Sequence, residues 1–467
     1  MKKALVWIRR DIRLADNTAL SVACEENDEV HVVFVFDDNI LSKLKDPMDK
    51  RVTFIHHGLI ELHEELKNYS SGLNVLFGDP TDLIPAFAKK LKVQKLYFNR
   101  DYESYAIKRD QKVIKSLNDE TIEVKNFRDH VIFESTEILK KDKTPYKVFT
   151  PYKNAWIDQF KKETARAKTF RLNTKKFSSQ VPADLGKYDW MKKIGFKTAQ
   201  LEIPLGRSGG LKKLKAFKQR ISTYQDTRDL LESTSTSGLS PYLRHGMISI
   251  REMLNLGLED EKIVHSIYVS EIIWREFYQM ILAQFPIVEK GSFKPQYDGI
   301  NWIGGQKEFN AWKNGQTGFP IVDAAMRCLN ETGLMPNRLR MVTASFLCKT
   351  LLVDWRKGEQ YFAEKLLDFD LGANNGGWQW SSSSGCDSQP YFRIFNPLAQ
   401  SQKFDPKGNF IRQWCPELSK LDNKQIHAPN SVGPLFLLEK GIEYPAPVVD
   451  YGQKRQEALN MYKKALQ

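Results

Sequence analysis

Four stretches combine residue types that can do chemistry with spacing that can bring them together. In Glu271-Ile272-Ile273-Trp274-Arg275-Glu276-Phe277-Tyr278 the helical period places Glu271, Trp274 and Tyr278 at i, i+3 and i+7, on one face and apart from Ile272, Ile273 and Phe277. A carboxylate beside an indole suits a pocket that stacks on a flat ring and hydrogen-bonds its edge. A boundary helix closed by a salt bridge has the same spacing. The stretch Pro336-Asn337-Arg338-Leu339-Arg340-Met341 reads as a helix start with Pro336 at the first helical position. Asn337 and Met341 share a face and Arg340 points elsewhere, which also fits a capped helix with solvated arginines. From Asp368 to Gly377 run two acids, two amides and three glycines, and Trp378 and Trp380 follow. That backbone is loop material in which glycine admits close approach. Beside two indoles that are unfavourable to expose, it implies a bound planar molecule or a tight structural turn. Finally, Thr234-Ser235-Thr236-Ser237-Gly238-Leu239-Ser240-Pro241 is a hydroxyl-rich helix entry. Its donors suit a phosphate, or they cap a helix with no ligand at all.

The elements that must carry these stretches differ between the two halves of the chain. The first third alternates. Strands are predicted at Ala4–Ile8, Val30–Phe36, Leu73–Phe77, Lys95–Phe98 and Ile122–Val124, with helices at Asn17–Glu26, Val52–Lys67, Leu83–Leu91 and Tyr105–Leu117 between them. Such alternation predicts a doubly wound parallel sheet. Ligands of such sheets sit at the carboxyl ends of the strands, here Arg9-Arg10-Asp11, Asp37-Asp38, Gly78-Asp79 and Asn99-Arg100-Asp101. Neither GxGxxG nor GxxxxGK[ST] is present, so no dinucleotide fingerprint or P-loop supports NAD or ATP. Residues 140–208 are rich in Lys, Thr, Ser and Pro and read as a connector. Beyond about Gly210 the period is helical throughout. The domains are therefore drawn as 1–135 (α/β), 136–208 (connector) and 209–467 (all-α).

The 467 residues are 41% hydrophobic and 27% charged, which excludes a disordered or fibrous chain. The strongest apolar run, Val30–Phe36, is far short of the roughly 18 residues of a membrane-spanning helix. At the start of the chain, Arg9, Arg10 and Asp11 end the apolar stretch too early for a signal peptide. Five cysteines without CxxC spacing indicate neither a disulfide framework nor a zinc site and fit a reducing, cytoplasmic compartment. A net charge of +13 favours a polyanionic partner.

Taken together, TSTSGLSPYLRHG (Thr234–Gly246), EIIWREFY (Glu271–Tyr278), TGFPIVDAAMR (Thr317–Arg327), NRLRMVTASFL (Asn337–Leu347), ANNGGWQW (Ala373–Trp380) and YFRIFNP (Tyr391–Pro397) resemble the photolyase/cryptochrome family, and within it the class I cyclobutane pyrimidine dimer photolyases. The resemblance implies an α/β antenna domain, a helical FAD-binding domain, and light-driven repair of pyrimidine dimers flipped out of DNA. A cryptochrome that binds FAD without repairing DNA is the alternative.

The resemblance also assigns residues. Tyr224, Thr236, Ser237, Leu239, Ser240, Arg340, Asp368, Asp370 and Asn374 match FAD contacts, with Asn374 facing flavin N5. Glu271, Asn337, Met341 and Asn374 match catalytic positions. Trp274, Arg275, Arg338, Trp380 and Arg393 join Glu271, Asn337 and Met341 in matching the substrate pocket, and Arg228 matches a DNA contact. Trp302, Trp355 and Trp378 match an electron-hopping chain. The implied partner is dimer-containing DNA, duplex or single-stranded, bound by a monomer without sequence specificity; no metal and no membrane are implied. Folate-binding relatives carry Asn-Glu where this chain has Tyr105-Ala106, which argues against a folate antenna and leaves a deazaflavin, another flavin or none.

Overall fold

Five strands form where apolar runs end at turn residues: β1 (Lys3–Ile8), β2 (Glu29–Asp37), β3 (Leu73–Gly78), β4 (Lys95–Asn99) and β5 (Glu123–Phe127). They pair in the order β3-β2-β1-β4-β5, all parallel, with Val6 opposite Val32 on one side and Tyr97 on the other. The connections are long enough for parallel pairing because each carries a helix: α1 (Thr18–Glu26), α2 (Lys50–Lys67), α3 (Pro80–Leu91) and α4 (Ser104–Asp119). Side-chain caps fix where three of them start: Asn17 accepts from Leu20 N, Asp49 from Arg51 N, and Asp79 from Thr81 N ahead of Pro80. Leu5, Trp7, Val33 and Val35 pack with Ile84 and Ala88 of α3 and Val113 and Leu117 of α4. Alternate residues point the other way, and Ala4, Val6 and Ile8 are fully buried as well, so both faces of the sheet are covered.

The computed structural model describes residues 1–163, 169–179, 188–231, 235–258 and 266–467; Thr234, the first residue of the hydroxyl-rich motif, lies outside them. The chain divides into two compact units. The first comprises 1–146, 150–221 and 237–284, the second 147–149, 222–236 and 285–467.

Besides the sheet, the first unit contains α5 (Phe149–Glu163), whose first residue belongs to the second unit, α6 (Gly206–Lys218), α7 (Ile250–Gly257) and α8 (Ile267–Gln284). A buried charge network ties α7 to the α/β part. Arg13 pairs with Asp129 at 2.6 Å, and Arg251 pairs with Asp129 at 2.6 Å and Asp16 at 2.9 Å.

Among its described residues the second unit holds helices and turns and no strand. Its longer helices are α9 (Gln306–Asn314), α10 (Pro320–Thr332), α11 (Asn337–Lys349), α12 (Trp355–Lys365), α13 (Leu371–Ser381), α14 (Pro397–Phe404) and α15 (Tyr451–Leu466). Their shared core is built on Trp312, Leu329, Phe346, Phe362 and Trp378. The glycine- and amide-rich stretch expected as a loop is α13. Asp370 caps it by accepting from Ala373 N, and burial of Asn374, Asn375, Trp378 and Gln379 offsets the low helix propensity of its glycines. Pro336 is the N-cap of α11, one position earlier than expected. Among the described residues no helix is long and apolar enough to cross a membrane, and no group of three metal-ligating side chains converges.

Candidate functional site

Arg340 leaves α11 and meets Asp368, which stands just before α13. Its Nη2 donates to both carboxylate oxygens at 3.0 and 2.8 Å, while Nε donates to Met335 O at 2.9 Å. The Asp368 side chain is only 4% exposed and that of Arg340 is 29% exposed, so the pair is sealed on the acid side and open on the guanidinium side. Two residues on, Asp370 is committed to capping α13. Asn374, in the first turn of that helix, donates from Nδ2 to Glu359 O on α12 at 3.1 Å, and Asn375 donates to the Glu359 carboxylate at 3.1 Å. This tether fixes which way the Asn374 amide faces and leaves its oxygen without a partner among the described residues.

On α8, Trp274 lies 5.4 Å from Tyr278 at a 32° tilt and edge-on to Phe277 at 5.6 Å. Trp274 and Tyr278 lie together as the helical period predicts, whereas Phe277, expected off that face, touches Trp274 as well. Glu271, Trp274 and Arg275 are all half-buried, and Arg275 Nη1 donates to His130 O at 2.6 Å. The neighbouring Glu276 was assigned no role from sequence. It is fully buried and accepts from Ile132 N at 2.5 Å, Phe133 N at 3.0 Å and Trp156 Nε1 at 2.6 Å. Burial outweighs these three donors and pushes its carboxyl up to about 7. Its signal in the sequence was a carboxylate on the apolar side of α8.

On α11, Asn337 is exposed and Met341 half-buried. Arg338 is engaged within the protein: Nη2 donates to Asp229 at 2.7 Å and the guanidinium lies 4.4 Å above the Phe404 ring. Arg228 Nε also lies 3.9 Å from Asp229, and its guanidinium stands 5.8 Å from the Tyr224 ring. Two arginines expected to meet DNA thus share one acid. Arg393 is exposed and Trp380 half-buried.

In the hydroxyl-rich segment, Thr236 and Ser237 are half-buried and Ser240 exposed, with Leu239 N donating to Ser237 Oγ at 3.3 Å. Three hydroxyls suit a diphosphate, and a half-open guanidinium and an unpartnered amide oxygen suit the polar edge of a flavin. Taken one by one, these groups are of the kinds that FAD takes: donors for its phosphates, and a donor and an acceptor for its flavin edge.

Of the three predicted hopping tryptophans, Trp355 and Trp378 are buried and Trp302 is partly exposed. Trp302 meets Tyr462 edge-on at 6.1 Å. Trp378 meets Phe362 at 5.0 Å and Trp312 at 5.9 Å, both edge-on. Trp312 was missed in the sequence. It is fully buried, stacks on Phe362 at 5.8 Å, and donates its indole N–H to Thr343 O at 3.1 Å.

At the carboxyl ends of the strands, Arg9 binds both oxygens of Asp110 at 2.6 and 2.5 Å and lies over Trp7 and Phe98. Tyr105 donates its hydroxyl to Asp37 at 2.7 Å. The polar residues expected at these ends do stand there, and Tyr105 occupies its place with an internal bond.

Residues 4–169 match the family model described as DNA photolyase, and residues 268–464 match that of the FAD binding domain of DNA photolyase. A deoxyribodipyrimidine photo-lyase of Buchnera aphidicola is 37% identical, covering 100% of this chain and 98% of the relative. The chain belongs to the photolyase/cryptochrome family.

Two solved photolyases share the whole fold. A class III photolyase from Agrobacterium tumefaciens superposes with a TM-score of 0.87 at 30% identity, covering 100% of this chain and 98% of its own. An archaeal photolyase from Sulfolobus tokodaii, solved with two FAD molecules, gives 0.84 at 33% identity, covering 99% and 100%. As in those photolyases, a parallel sheet precedes a helical FAD-binding part.

Proposed function

We propose that this photolyase-family chain repairs cyclobutane pyrimidine dimers in DNA under light, as a lyase that uses FAD. The observation that carries this reading is the end-to-end likeness to deoxyribodipyrimidine photo-lyases. Bound FAD would supply the photochemical electron transfer that dimer splitting needs. The protein binds, orients and shields. Thr236, Ser237 and Ser240 hold phosphate. The Arg340–Asp368 pair and the tethered Asn374 amide present fixed dipoles to the flavin edge, with no reorganisation needed at the moment of reaction. Trp274 and Trp380 stack on the flipped bases, Glu271 and Asn337 bind their edges, and Met341 packs a polarizable thioether against them. Trp302, Trp355 and Trp378 relay electrons during photoreduction. Arg228, Arg275, Arg338 and Arg393 contact DNA without reading sequence, so duplex and single-stranded dimers are both substrates.

In this reading the enzyme is a cytoplasmic monomer, in keeping with five free, buried cysteines. Its second chromophore, where one is bound, is a deazaflavin or another flavin. Illumination of dithionite-reduced protein with a dimer-containing oligonucleotide tests the function. Recovery of pyrimidine absorbance is expected. A flavin-bearing protein that restores none is a photoreceptor instead.

A further inference from the structure

Lys349 is the last residue of α11 and is fully buried. No carboxylate pairs with it among the described residues. Its ammonium donates to Ser383 Oγ at 2.9 Å and to the backbone carbonyl of Arg393 at 3.1 Å, and it lies 5.9 Å from the centre of the Tyr462 ring. An enclosed ammonium without a counter-ion costs folding free energy that an apolar side chain of the same length would not. Burial accordingly brings its pKa down to about 7, with Arg393 adding to the fall and Cys348 opposing it.

The ammonium grips the two ends of one segment. Between α13 and α14 the chain runs through turns, with no regular helix or strand. It carries Phe392, 60% exposed, followed by the exposed Arg393. An aromatic face next to a guanidinium is a surface for a base and a phosphate. Lys349 holds this segment from beneath, at Ser383 and at the carbonyl of Arg393 itself. Lys294 fastens the stretch between them, from its backbone N–H to Ser384 O at 2.9 Å and from Nζ to Ser388 Oγ at 2.8 Å.

We propose that Lys349 is a positioning residue for damaged DNA: by holding Ser383 and the Arg393 carbonyl from inside the helical core, it fixes in advance the segment that presents Phe392 and Arg393 to the nucleic acid. The proposal rests on the repair reading above. Its physical content is preorganisation. A segment already held in its binding geometry does not have to be ordered on association.

The experiment compares the FAD-loaded, reduced parent enzyme with Lys349→Met, which keeps the length of the stem and removes the donors. FAD content, thermal midpoint, Kd for a dimer-containing oligonucleotide, and KM and kcat of repair are all measured. The variant is expected to keep its FAD and its kcat, to unfold at the same or a higher temperature, and to raise both Kd and KM roughly tenfold, the order expected for one charge-assisted hydrogen bond. A residue that served only stability would lower the midpoint and leave KM where it was, and that result overturns the proposal. So does a fall in kcat at constant KM. Should Lys349→Met fail to fold, Ser383→Ala removes one of the two grips, and an unchanged KM there overturns the proposal too. A parent enzyme that repairs no dimer removes the repair reading on which the proposal stands. A parent that repairs normally beside variants of equal KM removes the proposal alone.

Discussion

Arg338 and Asp229 form an ion pair at 2.7 Å, and Arg228 leans on the same carboxylate from 3.9 Å. One acid therefore offsets two cations assigned to DNA. Asp229→Asn removes that negative charge. Affinity for DNA should rise modestly, and the slope of log Kd against log salt should steepen by up to about 0.9, the value of one added phosphate contact. By the same logic Arg338→Ala should cost less affinity than Arg393→Ala. Titrations at several salt concentrations check both.

The Arg340–Asp368 pair is open toward its cation and closed toward its acid. Asp368→Asn leaves the guanidinium facing a neutral amide that can satisfy it only in part. A destabilisation of about 1–3 kcal/mol is expected, together with loss of FAD during purification. The flavin-to-protein absorbance ratio and the thermal midpoint report the two effects separately.

Glu276 gives a pH dependence with a definite sign. Its folded pKa of about 7 lies above its ordinary value of 4.5. The native protein thus binds a proton that the unfolded chain has released between those values. This contribution to stability is fully present below pH 4.5 and is lost as pH rises through about 7, to the extent of about 3 kcal/mol. Glu276→Gln removes the slope. It also adds a cost of about 1–3 kcal/mol at every pH, because an amide cannot accept from all three of the donors of Ile132, Phe133 and Trp156. Denaturant melts of parent and variant between pH 5 and about pH 8 distinguish the two effects.

Gly358 on α12 exists for Trp378. A Cβ at that position would run into the far edge of the Trp378 ring and into Leu347. Gly358→Ala should therefore displace the indole and destabilise the protein by about 1–3 kcal/mol. If Trp378 relays electrons, the same substitution should slow photoreduction of oxidised enzyme while chemically prereduced enzyme repairs at its usual rate. Trp378→Phe should slow photoreduction as well, and it also costs stability through the cavity it leaves beside Phe362 and Trp312. Transient absorption after a flash, set beside steady-state repair, checks both variants.

What the sequence determined by itself is local and periodic. The five strands and the helices between them were legible because a sheet covered on both faces needs unbroken apolar runs, and its crossover helices need a 3.6-residue stripe and a cap. The family and its candidate residues were legible because short motifs survive as strings. Elsewhere tertiary structure decided. The stretch after Asp368 is a helix in spite of its glycines because α12 supplies bonds to Asn374 and Asn375 and the core buries Trp378. The change from alternating to helical periodicity near residue 209 marks element type, whereas compactness groups 237–284 with the sheet through the Arg251 pairs and the Glu276 bonds. Most of all, a side chain's partner is not written beside it. Arg338 is claimed by an acid 109 positions away, and Lys349 by a carbonyl 44 positions away. The energy of a charge depends on what surrounds it in three dimensions, and that surrounding exists only once the chain has closed upon itself.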